Sequence, residues 1–325
     1  MKKVLVTGGA GYIGSVLVRI LLENNYHVTV LDTLSFGGES IVELLNNPNF
    51  VFVKGDIRDE SLLNEVMKGI DFVAHLAAIV GDPACAKEPE LTKSINLDGA
   101  KLVYNVANKH GVERFVFAST CSNYGKMEDS DGFVTETSPL APVSLYAETK
   151  VEFEQFLLSK REEGSQCEPT CLRFSTVYGL SPRLRFDLTV NEFTKELALG
   201  RELVIFGEQF WRPYCHVVDL SRSVLEVFKA SSEKVAFEVF NVGDSSENYQ
   251  KKMIVEEIIK FLPDANIRYV EKQEDPRDYR VNFDKISRIL DFKITKTVPD
   301  GIEQILQVVR DGFITDPDSK VYSNI

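Results

Sequence analysis

Two side chains able to exchange a proton stand four residues apart in LYAETKVEF: Tyr146 and Lys150. On a helix, positions i and i+4 share a face. A phenol with its usual pKa near 10 is a poor acid or base at neutral pH, and a neighbouring ammonium favours its ionised form. Tyr146 would then exchange a proton with an alcohol. Upstream, the apolar run RFVFAS ends in STCSNYGK (Ser119–Lys126), where Thr120 and Ser122 flank Cys121. A polarised thiol is able to act as acid or base. Free cysteine is also among the most buried residue types, and a small apolar filler is the preferred reading of Cys121.

A second cluster would bind rather than react. VLVTGGAGYIGS places Gly8, Gly11 and Gly14 between an apolar run and a helical pattern that includes Tyr12 and Ile13. The first glycine permits a tight turn, the second a close approach of backbone to a pyrophosphate, and the third close packing of helix on sheet. Helix N-terminal N–H groups then face the phosphates. Asp32 closes the next apolar run, where a carboxylate accepts both ribose hydroxyls of an adenosine and repels a 2′-phosphate. Thr33, Leu34, Ser35 and Phe36 follow it without an arginine or lysine, so NAD is favoured over NADP. A cationic nicotinamide ring would further favour the Tyr146 phenolate while hydride moves. Asp56, with Ile57 in GDIRD, is positioned for the adenine amine. HLAA (His75–Ala78) supplies Leu76, Ala77 and Ala78 where backbone runs beside the cofactor. His75 lies in an apolar run and reads as a core histidine.

The elements that must carry these residues alternate. Apolar runs at Val4–Thr7, Val28–Asp32, Phe50–Lys54, Phe72–Leu76, Arg114–Ser119 and Thr170–Phe174 lack strict polar alternation, as strands buried on both faces do. Helical patterns at Ser15–Asn24, Ser61–Met67 and Thr92–His110 separate them. The alternation predicts a Rossmann-type, doubly wound parallel sheet of the α/β class. The irregular second half predicts a smaller α+β lobe packed beside the sheet, which the resemblance given below assigns to substrate. The boundaries read as residues 1–174, with return segments at about 213–243, for the NAD-binding domain, and 175–212 and 244–325 for the lobe.

Bulk properties limit the partners. The chain has 325 residues, 44% hydrophobic and 26% charged, with a formal net charge of -12. Nucleic acid and anionic membrane would be repelled by such a surface. Five scattered cysteines with no CxxC pair suit a reducing cytoplasm. Cys167 and Cys171, with four histidines in the chain, make a poor zinc site, so no metal is expected. The apolar run Val4–Val6 is too short for a signal peptide, and no run of about 18 apolar residues suggests a membrane span.

Taken together, TGGAGYIGS, Asp32, GDIRD, HLAA, NLDG (Asn96–Gly99), STCSNYG, YAETK, LRFSTVYG, RPYCHVVD, FNVG and DPRDYRVNFDKI resemble the extended short-chain dehydrogenases/reductases of the NAD-dependent nucleotide-sugar epimerase/dehydratase family, over nearly the whole chain. The resemblance implies that Thr120 bonds a sugar oxygen beside Tyr146. It adds Asn96, Ser119, Phe174 and Val177 to the cofactor cleft. It assigns Ser122, Arg183 and Asn191 to the substrate, and Arg212 and Arg277 to a nucleotide diphosphate. It also implies a homodimer joined through the helices Thr92–His110 and Leu145–Lys160. Thr176 stands where the family usually has asparagine.

The family's 4,6-dehydratases carry an Asp and a Glu at the positions of Cys121 and Ser122. Their loss here favours hydride transfer at sugar C4, as an oxidoreductase or epimerase. The alternatives are a dehydratase or 3/5-epimerase that uses Cys121 as its acid/base, and a non-catalytic NAD-binding protein. The substrate-side segments also resemble a GDP-heptose 4-oxidoreductase branch of bacterial surface-polysaccharide pathways.

Overall fold

The computed structural model describes residues 1–126, 132–271 and 277–324. In chain order its strands are β1 (Lys3–Thr7), β2 (His27–Asp32), β3 (Phe50–Lys54), β4 (Phe72–His75), β5 (Arg114–Thr120), β6 (Glu168–Phe174), β7 (Thr176–Tyr178), β8 (Leu203–Phe206), β9 (Trp211–His216), β10 (Glu238–Val242), β11 (Asn248–Gln250) and β12 (Ile267–Val270). The first six helices are α1 (Tyr12–Glu23), α2 (Glu60–Val66), α3 (Asp82–Lys87), α4 (Pro89–Lys93), α5 (Ala100–Lys109) and α6 (Leu145–Ser159). They are followed by α7 (Thr189–Ala198), α8 (Val217–Lys229), α9 (Ser232–Val235), α10 (Lys251–Ile259), α11 (Asp284–Leu290) and α12 (Val298–Arg310).

Seven parallel strands form one sheet in the order β10-β6-β5-β4-β1-β2-β3. The order reverses between β1 and β4, and in such sheets ligands bind beyond the strand ends at that switch point. The register pairs Thr7 with Leu31 and with His75, so Gly8, Asp32 and Leu76 all emerge at one edge. Likewise Thr120 pairs with Phe174 on β6.

The unalternating strands are apolar because both faces are covered. Val4, Val6, Val28, Val30 and Ala74 pack with α1 and α8. Leu5, Val73, Phe115 and Phe117 pack on the other face with α2, α5 and α6. Each fully buried Leu or Phe contributes about 1.5–3 kcal/mol.

Helix α1 opens at Tyr12, three residues before the apolar pattern at Ser15 becomes legible, because Gly11 in extended geometry already ends the turn. The helix expected over Thr92–His110 begins instead as α4, passes through a π turn at Ser94–Gly99 and continues as α5. In the second lobe β9 lies between β7 and β11, and β8 pairs with β12. Strand β9 thus belongs to the small sheet although part of it falls in the expected return segment. The core of the lobe joins Val190, Tyr214, Ile254 and Ile302. No helix of the described residues is long and apolar enough to cross a membrane.

Candidate active site

A cavity of about 390 Å³ runs along the switch-point edge. Of the residues assigned to the cofactor from sequence, Gly8, Gly11, Tyr12, Ile13, Gly14, Asp32, Thr33, Asp56, Ile57, Leu76, Ala77, Ala78, Ser119, Tyr146, Lys150, Phe174 and Val177 line it. The backbone there fits a dinucleotide. Gly8 adopts φ +76°, and a Cβ on it would stand 2.8 Å from the Ala77 nitrogen. At Gly14 a Cβ would collide with the Gly8 carbonyl. The strand-end carboxylate of Asp32 accepts from the N–H of Ala10 (3.0 Å) and of Leu34 (2.8 Å). Burial raises its pKa, against the lowering effect of these two donors. Asp56 is held below the usual carboxylate range chiefly by its hydrogen bonds from Arg58.

Two cofactor assignments are corrected. Leu34 turns its side chain onto Gly38 and the core, and only its N–H reaches Asp32. Asn96 is buried within the π turn. Its Oδ1 accepts from the Ile79 N–H (2.8 Å) and its Nδ2 donates to the Ile79 carbonyl (2.9 Å). It holds the cavity wall rather than facing the cavity.

Ser144 caps α6, its Oγ accepting from the Ala147 N–H (3.3 Å). This fixes Tyr146 in the first turn and Lys150 one turn on, both facing the cavity with Thr120. The Lys150 ammonium donates to the Ala118 carbonyl (2.8 Å) and lies 5.8 Å from the Tyr146 ring centroid. Burial pushes its pKa down to about 8. The sequence expectation of a lowered Tyr146 pKa is not met in this geometry. Burial drives the phenol up, Cys85 and Asp82 add to that, and Arg185 opposes it. His75 is buried against Phe115 and Phe117, bonds Thr7 Oγ1 (2.8 Å), and is depressed by burial to about 3, so it stays neutral.

Behind Thr120 a buried ion pair, Arg173 with Glu154, supports the strand end. Ser119 donates to Glu154 (2.9 Å), Asn123 donates to Ser119 (3.1 Å), and Arg173 donates to the Tyr124 hydroxyl (2.8 Å). Cys121 belongs to this interior. Its thiol is 1% exposed, donates to the Arg173 carbonyl (3.2 Å) and is pushed up by burial. The possible catalytic role of Cys121 is therefore corrected: the side chain points away from the cavity into the sheet. Cys121→Ala is expected to leave turnover within about threefold and to cost stability on the order of 1 kcal/mol. A loss of activity beyond tenfold with NAD still bound would contradict the assignment.

The remaining substrate assignments divide. Arg212 stacks 5.4 Å from the Tyr279 ring, and the phenol of Tyr279 lies within reach of the Ser122 side chain. Arg277 pairs with Asp82 (2.8 Å), which also accepts from the Ser144 hydroxyl (2.7 Å) at the cap of α6. These groups gather on the Tyr146 side, outside the lining of the cofactor cavity. Asn191 does not join them. It is fully buried, accepts from the Gly179 N–H (2.9 Å) and donates to the Arg185 carbonyl (2.8 Å). Arg183 lines the cavity together with Thr120 and Tyr146.

The sequence reading missed Ser35, Phe36, Ile79, Arg185 and Asn324, which also line the cavity. The apolar stretch after HLAA was a usable signal for Ile79. Asn324 reaches the cleft through contacts far along the chain, for which no local signal exists.

The chain matches the NAD dependent epimerase/dehydratase family over residues 4–243. It is 31% identical over 317 residues to a dTDP-glucose 4,6-dehydratase of an Actinoplanes species, covering 93% of this chain and 96% of that one. A UDP-glucose 4-epimerase of Thermotoga maritima solved with UDP-glucose has a TM-score of 0.83 at 28% identity, covering 96% and 99% of the two chains. A UDP-glucuronic acid 4-epimerase of Bacillus cereus, solved with UDP-glucuronic acid and NAD, has a TM-score of 0.84 at 26% identity, covering 95% and 99%.

Proposed function

The chain belongs to the NAD dependent epimerase/dehydratase family, and from that premise we propose that it transfers hydride at C4 of a nucleotide-diphosphate sugar, as an epimerase or oxidoreductase. The observation that carries this reading is the meeting of Thr120, Tyr146 and Lys150 on the dinucleotide cavity, beside a strand end that has Cys121 turned inward and Ser122 in place of two carboxylates.

NAD, held by the glycine turn and Asp32, would supply reversible hydride transfer at C4. The chain's own residues manage the proton. Thr120 and Tyr146 hold the C4 hydroxyl from one side. Tyr146 takes the hydroxyl proton as the C4 oxygen becomes a carbonyl, and returns it when the carbonyl is reduced. The Lys150 charge, acting through space, favours the phenolate. Arg185 acts in the same direction. With Cys121 turned inward and Ser122 in place of a carboxylate, this strand end offers no acid/base for C5 or C3 among the described residues, so the 4-keto sugar is reduced again or released rather than dehydrated. Arg212 and Arg277, whose forked guanidinium groups suit phosphate oxygens, hold the diphosphate. Arg277 exchanges its Asp82 partner for that anion.

The reading extends to a homodimer built on α5 and α6, and to polysaccharide biosynthesis in the cytoplasm. All five cysteines are free and buried, which supports a reducing compartment. The test is a panel of UDP-, GDP-, CDP- and dTDP-sugars, followed by absorbance of reduced nicotinamide and by product NMR. One nucleotide series should give a C4 epimer or a 4-keto sugar. Accumulation of a 4-keto-6-deoxy sugar would overturn the reading.

A further inference from the structure

The loop Gly179–Asp187 crosses from the second lobe to the first turn of α1. The Tyr12 hydroxyl donates to the Gly179 carbonyl (2.5 Å), and the Ser181 hydroxyl donates to the Tyr12 carbonyl (2.6 Å) and lies 3.1 Å from Ser15 Oγ. This fastening sets the loop over the N-terminus of a twelve-residue helix, whose free N–H groups and partial positive charge attract phosphate. Arg183 projects from the loop into the cofactor cavity. It is 6% exposed, with its guanidinium 4.4 Å from the ring centroid of Phe36, just beyond Asp32. Its Nη2 donates to the Ser323 carbonyl (3.0 Å), whereas its Nε is buried with no hydrogen-bond partner among the described residues.

A buried guanidinium with an unused N–H is an unfavourable arrangement until an anion arrives. Burial lowers its pKa to about 10, with Arg185 adding to the effect. The carboxylate of Asp187 is engaged by Arg185 through two bonds (2.8 and 2.7 Å), so it does not satisfy Arg183. The end of the described chain closes over this loop. Phe186 N–H donates to the Tyr322 carbonyl (2.8 Å), the two rings pack at 5.4 Å, and Asn324 N–H donates to Asp187 (3.0 Å). Asn324 itself lines the cavity.

We infer that Arg183 is a ligand of the dinucleotide pyrophosphate brought in from the second lobe, and that Tyr322–Asn324 form a strap that holds it there and slows release of the cofactor. The inference rests on the NAD-dependent reading above. The ligand chemistry is a diphosphate, which NAD and a nucleotide sugar both carry. Phe36, Asp32 and the start of α1 assign it to NAD.

The test uses the full-length protein stripped of nucleotide. Calorimetry measures affinity for NAD, ADP-ribose, adenosine and, at saturating NAD, for UDP, GDP and dTDP. A chase measures NAD release. Arg183→Met should weaken NAD and ADP-ribose about 10- to 100-fold, leave adenosine within about threefold, and leave the nucleoside diphosphate within about threefold. Tyr322→Ala should speed NAD release by about tenfold or more. Adenosine binding reports whether each variant is folded, and Arg183→Lys provides a milder second variant that keeps the charge. Unchanged NAD and ADP-ribose affinity in Arg183→Met would overturn the inference, and loss of nucleoside diphosphate binding instead would return Arg183 to the substrate. Failure of the wild-type protein to bind NAD at all would remove the underlying reading, which is a separate outcome.

Discussion

Tyr146→Phe is expected to lower turnover by about 10²–10⁴-fold, the range of a positioned general acid/base, with NAD affinity changed by less than about threefold. The substitution removes one oxygen and keeps the ring that completes the first turn of α6. Neither the cap at Ser144 nor the bond from Lys150 to Ala118 involves that oxygen. The pH profile should carry the mark of Lys150. Its pKa is brought down to about 8 by burial, so its supporting charge is present below that pH and is lost as pH rises through it. In the wild type, activity that needs the ammonium should therefore fall above about pH 8. In Lys150→Met that limb should vanish along with most of the rate. Turnover in Tyr146→Phe above a tenth of wild type, measured on the active nucleotide sugar, would remove the phenol from the mechanism.

Arg173→Met should be the most damaging change to the fold, costing about 3–5 kcal/mol because Glu154 would be left buried and unpaired. Arg173 is 3% exposed and Glu154 1%, so neither is relieved by solvent. Arg173 also reaches the Tyr124 hydroxyl, which donates to Asn241 (2.7 Å) on β10. The network thus ties β5, β6, β10 and α6 together directly behind Thr120. A loss of this size lowers the melting temperature by roughly 10 °C in a chain of this length. Replacing both partners, Arg173→Met with Glu154→Leu, should recover more than half of the loss, since apolar replacement of a buried pair is often tolerated. Thermal and urea melts of the single and double variants check this. A single variant within 1 kcal/mol of wild type would show that the pair is not structural.

Sequence spacing revealed the parts of the site that depend on neighbours in the chain. The glycine turn, Asp32 at the end of β2, HLAA and the Tyr146–Lys150 helix are each local, and the sheet register brings them to one edge. What spacing did not reveal was set by distant partners. Asn96 and Asn191 look like ligands by type, yet backbone groups of Ile79, Gly179 and Arg185 take up their amides. Arg183 was assigned to the substrate through the family resemblance of its segment. The Ser181–Tyr12 and Tyr12–Gly179 bonds carry it back to α1. The high pKa of Tyr146 is a matter of burial, which the i, i+4 spacing does not encode. Cys121 was read as a filler because cysteine is so often buried; its burial and its bond to Arg173 depend on the paired strands β5 and β6.

The central claim, hydride transfer at C4 with no acid/base chemistry at C5 or C3, is tested most directly by turning over the active nucleotide sugar in D₂O and locating hydrogen isotopes in the recovered sugar by NMR. The mechanism predicts that an epimerised sugar keeps protium at C4, because the hydride never meets solvent, and keeps protium at C5 and C3. Deuterium at C5 or C3 would show a second acid/base that the site as described does not contain. Deuterium at C4 would show that the hydrogen leaves as a proton rather than as a hydride.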